Sequence, residues 1–312
     1  MKNLHVISAA FFLMFCVALF TGQSKAQQAD QAYLVKTFDL DQPEHIDIET
    51  SGGFIRVKGS ETDEVRVEMY VRRNNRYLTD TDTSLDEFEI SIEQDGNSVR
   101  ASARREGRSG WQGWRNRNLS VSFIVYTPEK TRLDARTSGG SITADNLEGD
   151  LYLRTSGGSL TLSRLTGKVD ARTSGGSIRI ESVQGELDAR TSGGSITAEN
   201  SAGKLNVRTS GGSIRLENIS GAVDARTSGG SIRAKMDRVS EHLDLQTSGG
   251  SIRVELPKDI GFELDLRGSR VQSELDGFTG TVERNSIRGT IHEGGPVVRA
   301  RTSGGTVSIR YL

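Results

Sequence analysis

The sequence predicts an all-β protein, a single-chain β-helix-like solenoid of about 18-residue rungs with a β-rich N-terminal capping region. The string Thr-Ser-Gly-Gly occurs nine times, and from Thr137 to Thr227 it returns every 18 residues. Between the copies, apolar and polar residues alternate, as they do in strands with one buried face. Glycine makes up 36 of 312 residues, but because it is periodic it indicates regular turns rather than a disordered chain.

The N-terminus predicts export. Lys2 precedes an apolar run from Val6 to Phe20, and Ser24-Lys25-Ala26 has the small-x-small pattern of a cleavage site. Residues 1–26 are therefore predicted to be a signal peptide. The apolar run is shorter than the roughly 20 residues of a spanning helix, so a retained membrane anchor is the weaker alternative. We expect an exported protein, in the periplasm, on the outer surface or secreted, with no stable membrane span after cleavage.

Composition excludes several classes of site. The only cysteine, Cys16, lies in the apolar run and follows Met14-Phe15 rather than the small residues of a lipoprotein signal. The mature chain therefore has no disulfide and no cysteine ligand for a metal. The 40 basic and 41 acidic residues nearly cancel, which argues against nucleic acid as a partner. The histidines of the mature chain lack metal-ligand spacing, so no metal and no cofactor are predicted.

Residues 27–130 are predicted to form the N-terminal capping domain. Phe54–Val71 is expected to contain two strands, Phe88–Arg104 a hairpin that turns at Asp95-Gly96, and Leu119–Pro128 another strand. An open solenoid needs such a cap because its terminal strand edge would otherwise remain unpaired.

Residues 131–255 are predicted to form the regular solenoid. Leu133, Ala135 and Thr137 alternate with polar residues, and Ile142 and Ala144 alternate again after the glycines. Strict alternation would point Ile142 outward, so the chain must turn a corner or bulge at the glycine pair, using left-handed dihedrals that glycine accepts. On this basis Gly175→Val should destabilise one corner by a few kcal/mol. The predicted corner glycines are Gly139, Gly140, Gly157, Gly158, Gly175, Gly176, Gly193, Gly194, Gly211, Gly212, Gly229 and Gly230.

The glycine pairs are less consistent with a ligand-cradling loop. A phosphate loop needs Gly-Lys-Ser/Thr before a helix, and a calcium-binding β-helix repeat needs an Asp among its glycines. A left-handed hexapeptide helix is excluded because Gly139 and Asp145 fall where aliphatic residues are required.

Two charged rows are predicted on the outside of the rungs. The arginine row is Arg136, Arg154, Arg172, Arg190, Arg208 and Arg226, and the acidic row is Asp134, Asp170, Asp188 and Asp224, interrupted by Tyr152 and Asn206. The rows are consistent with a charged face for a polysaccharide or protein, or with a solvated face of surface salt bridges. The second interpretation, a solvated face whose salt bridges each contribute little to stability, is favoured. Residues 256–312 are predicted to be irregular last rungs and a C-terminal cap.

One loop, Arg104 to Asn118, holds both tryptophans of the chain. Arg108, Trp111, Trp114 and Arg115 are the candidate ligand-binding residues, since arginine and aromatic side chains together suit sugars, anionic polymers or lipid headgroups. The alternative is that the indoles pack as a plug over the end of the solenoid.

No catalytic constellation is recognisable. The sequence has no Gly-x-Ser-x-Gly motif, and Glu181, Glu199 and Glu217 recur with the rungs rather than forming a unique carboxylate pair. The protein is therefore predicted not to be an enzyme.

The motifs "IDIETSGGFIRVKG", "SFIVYTPEKTRLDARTSGGSI" and the final "TSGGTVSI" carry a family resemblance. From about Tyr33 to Leu312 the chain resembles a family of bacterial β-strand-repeat domains of unknown function that are designated adhesins. The resemblance implies a β-solenoid at the cell envelope and supplies no catalytic residues. It leads us to expect a non-enzymatic adhesin or envelope scaffold for a surface glycan or envelope protein. The alternatives are a periplasmic signalling module that binds a membrane protein and, less favoured, a polysaccharide lyase or hydrolase.

Overall fold

A computed structural model describes residues 32–40, 45–74, 76–83, 85–106, 119–258, 260–274 and 276–312. All regular elements in these ranges are β-strands, which confirms the predicted all-β class. The strands before the regular repeat are β1 (Leu34–Asp39), β2 (His45–Thr50), β3 (Ile55–Ser60), β4 (Glu64–Arg73), β5 (Arg76–Leu78), β6 (Phe88–Asp95), β7 (Ser98–Arg105) and β8 (Leu119–Pro128). The central strands are β9 (Arg132–Thr137), β10 (Ile142–Thr155), β11 (Leu160–Arg172), β12 (Ile178–Arg190), β13 (Ile196–Glu199), β14 (Ala202–Arg208), β15 (Ile214–Arg226) and β16 (Ile232–Thr247). The last strands are β17 (Ile252–Leu256), β18 (Phe262–Arg267), β19 (Arg270–Glu274), β20 (Phe278–Val282), β21 (Ser286–Ile291), β22 (Val297–Thr302) and β23 (Thr306–Tyr311).

Consecutive rungs stack in parallel with a register of 18 residues. Ile142 pairs with Leu160 and Leu160 with Ile178, while Arg154 pairs with Arg172. Each rung therefore places like residues over like residues, as the sequence period predicts. We call the sheet of strand segments that end in Arg-Thr the arginine face, and the sheet of segments that follow the glycine pair the isoleucine face.

Each rung turns at two corners. The first is the Thr-Ser-Gly-Gly-Ser bend, which joins the arginine-face strand of a rung to the isoleucine-face strand of the same rung. The second is marked by residues with φ between 50° and 58°, of which Asn146, Arg164, Ser182 and Asn218 lie inside long strands and Asn200 lies between β13 and β14. The long strands β10, β11, β12 and β15 pass through this second corner and so contribute to both faces.

The interior is a column of stacked apolar residues. Leu133, Ala135, Ile142 and Ala144 are fully buried, and Leu147 is nearly so. Both sides of the glycine corner therefore point their alternate residues inward, as predicted. Small residues such as Ala135 keep the column narrow, and the like-over-like stacking continues through the rungs.

The two ends share an arrangement that the chain order does not suggest. The rung formed by β2 and β3 lies between the β7–β8 rung and the β9–β10 rung, and its strands pair in parallel on both sides. At the other end, β22 and β23 lie between the β16–β17 rung and the β18–β19 rung. The rung β2–β3 and the C-terminal strands β22–β23 thus each lie one rung inside the stack. The predicted domain boundary at residue 130 stays a prediction; β2 and β9, which lie on either side of it in the chain, pair in parallel.

Antiparallel strands cover the outermost rungs. At the N-terminal end β6 pairs with β7, and β4 pairs with both β8 and β1. At the C-terminal end β21 pairs with β18 and β20. These strands occupy edges that would otherwise offer unpaired backbone groups to another chain.

Candidate functional site

The threonine of each glycine corner ties that corner to its neighbour. The Thr173 hydroxyl donates to the Gly158 carbonyl of the preceding rung at 2.8 Å and accepts from the Gly176 N–H at 3.3 Å. The same pair of bonds recurs at Thr155, Thr191, Thr209, Thr227, Thr247 and Thr302. Because this side chain is buried, its hydroxyl satisfies backbone groups that the turn leaves unpaired.

The two glycines of a corner have different constraints. A Cβ on Gly176 would lie 2.0 Å from the Gly158 carbonyl oxygen, whereas a Cβ on Gly175 would lie 3.4 Å from the Gly157 oxygen. None of the predicted corner glycines has φ in the left-handed region, so the dihedral reason given for them is not the one the structure shows. The second glycine is required because consecutive rungs approach too closely for a side chain, and the first has room for one.

The two serines of a corner also differ. The Ser177 hydroxyl accepts from the Ser195 N–H of the next rung at 3.2 Å, so this serine is part of the stack. The earlier serine, represented by Ser174 and Ser192, is exposed, and its backbone N–H and carbonyl link the rungs. The early serines therefore form a row of hydroxyl groups available on the surface.

These hydroxyls and the arginine row bound one groove, which we call the arginine–serine groove. It has a volume of 890 Å³ and runs across eight rungs, from Glu49 and Thr50 to Gln246 and Ser248. Seven rung spacings of about 4.8 Å give it a length of about 34 Å. Its arginines are Arg136, Arg154, Arg172, Arg190, Arg208 and Arg226, and its early serines are Ser138, Ser156, Ser174, Ser192, Ser210, Ser228 and Ser248.

Most arginines of the groove are paired with the acid two residues earlier. The distance between Arg172 Nη2 and Asp170 Oδ2 is 2.6 Å, and the equivalent Arg190–Asp188 distance is also 2.6 Å. Arg226 pairs with Asp224 at 3.3 Å, and Arg136 pairs with Asp134. The predicted salt-bridged rows are therefore present. The arginines of these rows line the groove, which their sequence did not show.

Arg154 and Arg208 differ from the rest of the row. Their rungs have Tyr152 and Asn206 where the others have aspartate, in register with the aspartates above and below. Among the residues that the structure describes, no carboxylate forms an ion pair with either arginine. These two cations lack the ion pair that the acidic row provides to the other four arginines of the groove.

The pKa values of three carboxyl groups near the ends of the groove are shifted by neighbouring residues and by burial. The hydrogen bond from Arg104, at 2.6 Å, holds the pKa of Glu49 below its usual value. Burial raises the pKa of Asp134, although Arg136 opposes the effect. Near the C-terminal end, burial would raise the pKa of Asp265, but hydrogen bonds and charge from Arg301 and Arg288 outweigh it, so this pKa is lowered. Asp134 thus ionises less readily than an exposed aspartate, and Glu49 and Asp265 ionise more readily than usual.

The predicted ligand-binding residues Arg108, Trp111, Trp114 and Arg115 lie outside the described residues. Their segment connects β7 to β8, two strands of the outermost N-terminal rung, and so takes the chain position that Thr-Ser-Gly-Gly occupies in other rungs. Their role in binding stays a prediction.

The described part of the chain contains neither a membrane-spanning helix nor a cluster of metal ligands. None of its elements is a helix long and apolar enough to cross a membrane. Over the same ranges, no three His, Cys, Asp or Glu side chains are grouped so that they could hold a metal ion. His242 instead pairs with Asp224, at 3.2 Å between Nε2 and Oδ2.

The groove was not predicted, although its arginine row was. The repeat indicated an outward arginine row, but only the fold shows that the arginines and the early serines line one groove. The two interruptions of the acidic row, Tyr152 and Asn206, were the sequence signal that could have pointed to uncompensated arginines.

Comparison with known proteins places this fold in a family. Similar solved structures include a protein designated lipid-binding from Parabacteroides distasonis, at 13% identity and TM-score 0.37, with 89% of this chain and 96% of that chain covered. A protein designated an adhesin from Bacteroides fragilis has 11% identity and TM-score 0.35, with the same coverages. A cell adhesion protein by designation, from Clostridium sporogenes, has 10% identity and TM-score 0.22, with 89% and 99% covered. These likenesses are too weak to support an argument about function, and no curated protein matches the chain. The family model described as Toastrack DUF4097 matches residues 43–310, and the chain belongs to that family.

Proposed function

We propose that the protein is an exported, non-enzymatic binding scaffold of the adhesin type, and that the arginine–serine groove holds its ligand. The observation that carries the proposal is the unbroken groove across eight rungs, six of which line it with the same arginine, threonine and serine side chains. A site that repeats every rung suits an extended ligand with repeating units, because successive units meet equivalent groups. A surface glycan of the cell envelope has this form.

The lining of the groove supports binding rather than cleavage. Glycoside hydrolysis requires two carboxyl groups on either side of the scissile bond. Glu49 is the one carboxylate that lines the groove in the described structure, and it is engaged by Arg104 at 2.6 Å. The lining is otherwise made of arginine, serine, threonine and glutamine side chains, which hydrogen-bond a polar ligand without transforming it.

A groove-blocking variant tests the site. Ser192 is exposed in the groove, and we expect Ser192→Trp to fill the channel and abolish binding to a panel of immobilised acidic and neutral polysaccharides. The matched control is Gln184→Trp, which adds the same bulk at an exposed position outside the groove. Equal binding by both variants, or no binding by the unmodified protein to any glycan, would contradict the proposal.

Protease treatment of intact cells tests the location. Digestion of the protein in intact cells would support capture of a ligand outside the cell. Protection until lysis would place the protein in the periplasm, and co-purification with an inner-membrane protein would then favour the signalling alternative over adhesion.

A further inference from the structure

We infer that Arg154 and Arg208 are two anchoring positions for acidic groups of an extended acidic polysaccharide bound in the arginine–serine groove. The inference rests on the proposed function and specifies the class of ligand. The anchors lie three rungs apart, because Arg172 and Arg190 separate them in the stack. Three rung spacings of about 4.8 Å place them about 14 Å apart.

The argument starts from the charge of each rung. Arg172 and Arg190 each have an aspartate oxygen at 2.6 Å, so part of their donor capacity and charge is already used. The neutral Tyr152 and Asn206 cannot compensate Arg154 and Arg208 in the same way. An incoming carboxylate, sulfate or phosphate group is therefore attracted most strongly at these two rungs.

The rung of Arg208 shows unused hydrogen-bonding capacity. Arg208 Nε is buried and has no hydrogen-bond partner in the described structure, a property it shares with Arg172 Nε and Arg190 Nε, and Asn206 Oδ1 also has no partner. The Asn206 amide therefore does not take over the role of the missing aspartate. In the rung of Arg154, the Tyr152 ring lies 5.6 Å from the Arg132 guanidinium and interacts with that cation instead.

The surroundings increase the preference for an anion. Arg154 lies in register between Arg136 and Arg172, and Arg208 lies between Arg190 and Arg226. Each anchor thus has an arginine in the rung on either side. Like charges at the rung spacing repel by about 1 kcal/mol in water, and an acidic group bound between them relieves that repulsion.

The other lining residues favour a sugar polymer over a nucleic acid. Ser156 and Ser210 offer exposed hydroxyls beside the two anchors, which suits the hydroxyl groups of a glycan. Binding of single-stranded nucleic acid relies on aromatic platforms for the bases, and the groove lining in the described structure contains none. An acidic polysaccharide combines the anionic groups and the hydroxyls that this groove can bind.

The first experiment measures binding of long oligogalacturonates by titration calorimetry, with the fully methyl-esterified oligomers as the neutral probe of the same backbone. Arg154→Gln and Arg208→Gln should each weaken binding about ten-fold, and the double variant should bind the acidic probe no better than the esterified one. Arg172→Gln and Arg190→Gln are the matched controls in the same row, and each should change binding by less than about three-fold. A digalacturonate is too short to span the anchors, so each single variant should still bind it at the remaining anchor, and only the double variant should lose that binding.

A second set of variants keeps every arginine and changes only its compensation. Asn206→Asp restores the acidic row and should weaken binding to the level of Arg208→Gln. Asp188→Asn releases Arg190 and should strengthen binding by about three-fold or more.

Arg154→Lys keeps the charge without the planar fork and should recover part of the affinity that Arg154→Gln loses.

The outcomes separate this inference from the proposed function. If Ser192→Trp abolishes binding while Arg154→Gln and Arg172→Gln weaken it equally, the groove is the binding site. The assignment of Arg154 and Arg208 as its anchoring positions is then wrong. If the esterified oligomers bind as tightly as the acidic ones, recognition of acidic groups is wrong. If the unmodified protein binds neither probe nor any member of the glycan panel, the proposed function itself fails.

Discussion

The two corners of each rung are formed by different kinds of residue. The first corner has the sequence Thr-Ser-Gly-Gly in every regular rung. The second is occupied by asparagine, arginine or serine, although φ stays between 50° and 58° at Asn146, Arg164, Ser182, Asn200 and Asn218. Sequence is therefore repeated strictly at the corner where consecutive backbones touch, and loosely at the corner where only a dihedral angle has to be met.

Distances explain this difference. At the first corner a Cβ on Gly176 would lie 2.0 Å from the carbonyl oxygen below it, so no side chain is possible without moving a rung. At the second corner the side chains point away from the column, and Asn218 Nδ2 donates to Asn200 Oδ1 at 2.9 Å across two rungs. A left-handed residue other than glycine costs about 1–2 kcal/mol, which a cooperative stack can tolerate.

The largest loss of stability is expected at Gly185, three residues after the second corner. This glycine is limited both by its positive φ and by close contact with the neighbouring rung. Gly185 has φ of 122°, and a Cβ there would lie 2.3 Å from the Gly167 oxygen. Gly185→Ala should therefore lower the free energy of unfolding by about 4 kcal/mol, through backbone strain and a steric clash together. Urea unfolding followed by circular dichroism measures the change, and an unaltered midpoint would mean that the rungs can separate locally at little cost.

The next largest effect separates the two glycines of one corner. Gly176→Ala should cost about 3 kcal/mol because its Cβ clashes with the Gly158 carbonyl. Gly175→Ala is the matched control, and it should change stability by less than about 1 kcal/mol because the nearest atom is 3.4 Å away. Equal losses in the two variants would mean that the glycines are required by their dihedral angles, as the sequence suggested, and not by steric contact.

A smaller effect is expected from the threonine of the first corner. Thr191→Val keeps the shape but removes the bonds to the Gly176 carbonyl, at 2.7 Å, and from the Gly194 N–H, at 3.3 Å. We expect a loss of about 2 kcal/mol, because buried backbone groups remain without this partner. Ser192→Ala removes an exposed hydroxyl from the next position and should change stability by less than about 0.5 kcal/mol. Thermal unfolding of both variants tests the contrast.

The comparison of corners also shows how far the sequence could be interpreted. The period of 18 residues and the inward positions Leu133, Ala135, Ile142 and Ala144 were predictable, because stacking and burial follow directly from alternation. The steric reason for the second glycine was not, since it depends on the distance to a residue 18 positions away. The insertion of β2–β3 and of β22–β23 inside the stack was also hidden, because pairing partners far apart in the chain leave no local signal.

The arginine–serine groove illustrates the same limit for the candidate site. The outward arginines and the gaps at Tyr152 and Asn206 can be identified in the sequence. Whether a row of side chains covers a flat sheet or lines a groove depends on the path of the chain after Thr-Ser, and the sequence of a single rung does not give that path. The same corner therefore limits the sequence of each rung and shapes the surface on which the proposed function depends.

The smallest effect is expected at the second corner, where the stack tolerates variety. Ser182 has φ of 58° and lies in the rung before Asn200, so Ser182→Asn adds a residue that accepts the left-handed region and can extend the Asn200–Asn218 ladder. The variant should be more stable by about 0.5 kcal/mol, measured as a rise in the urea midpoint with an unchanged slope. Ser182→Ala keeps the dihedral demand without an amide and should be less stable than the unmodified protein. If both variants match it, the second corner is set by the neighbouring rungs and not by the residue that occupies it.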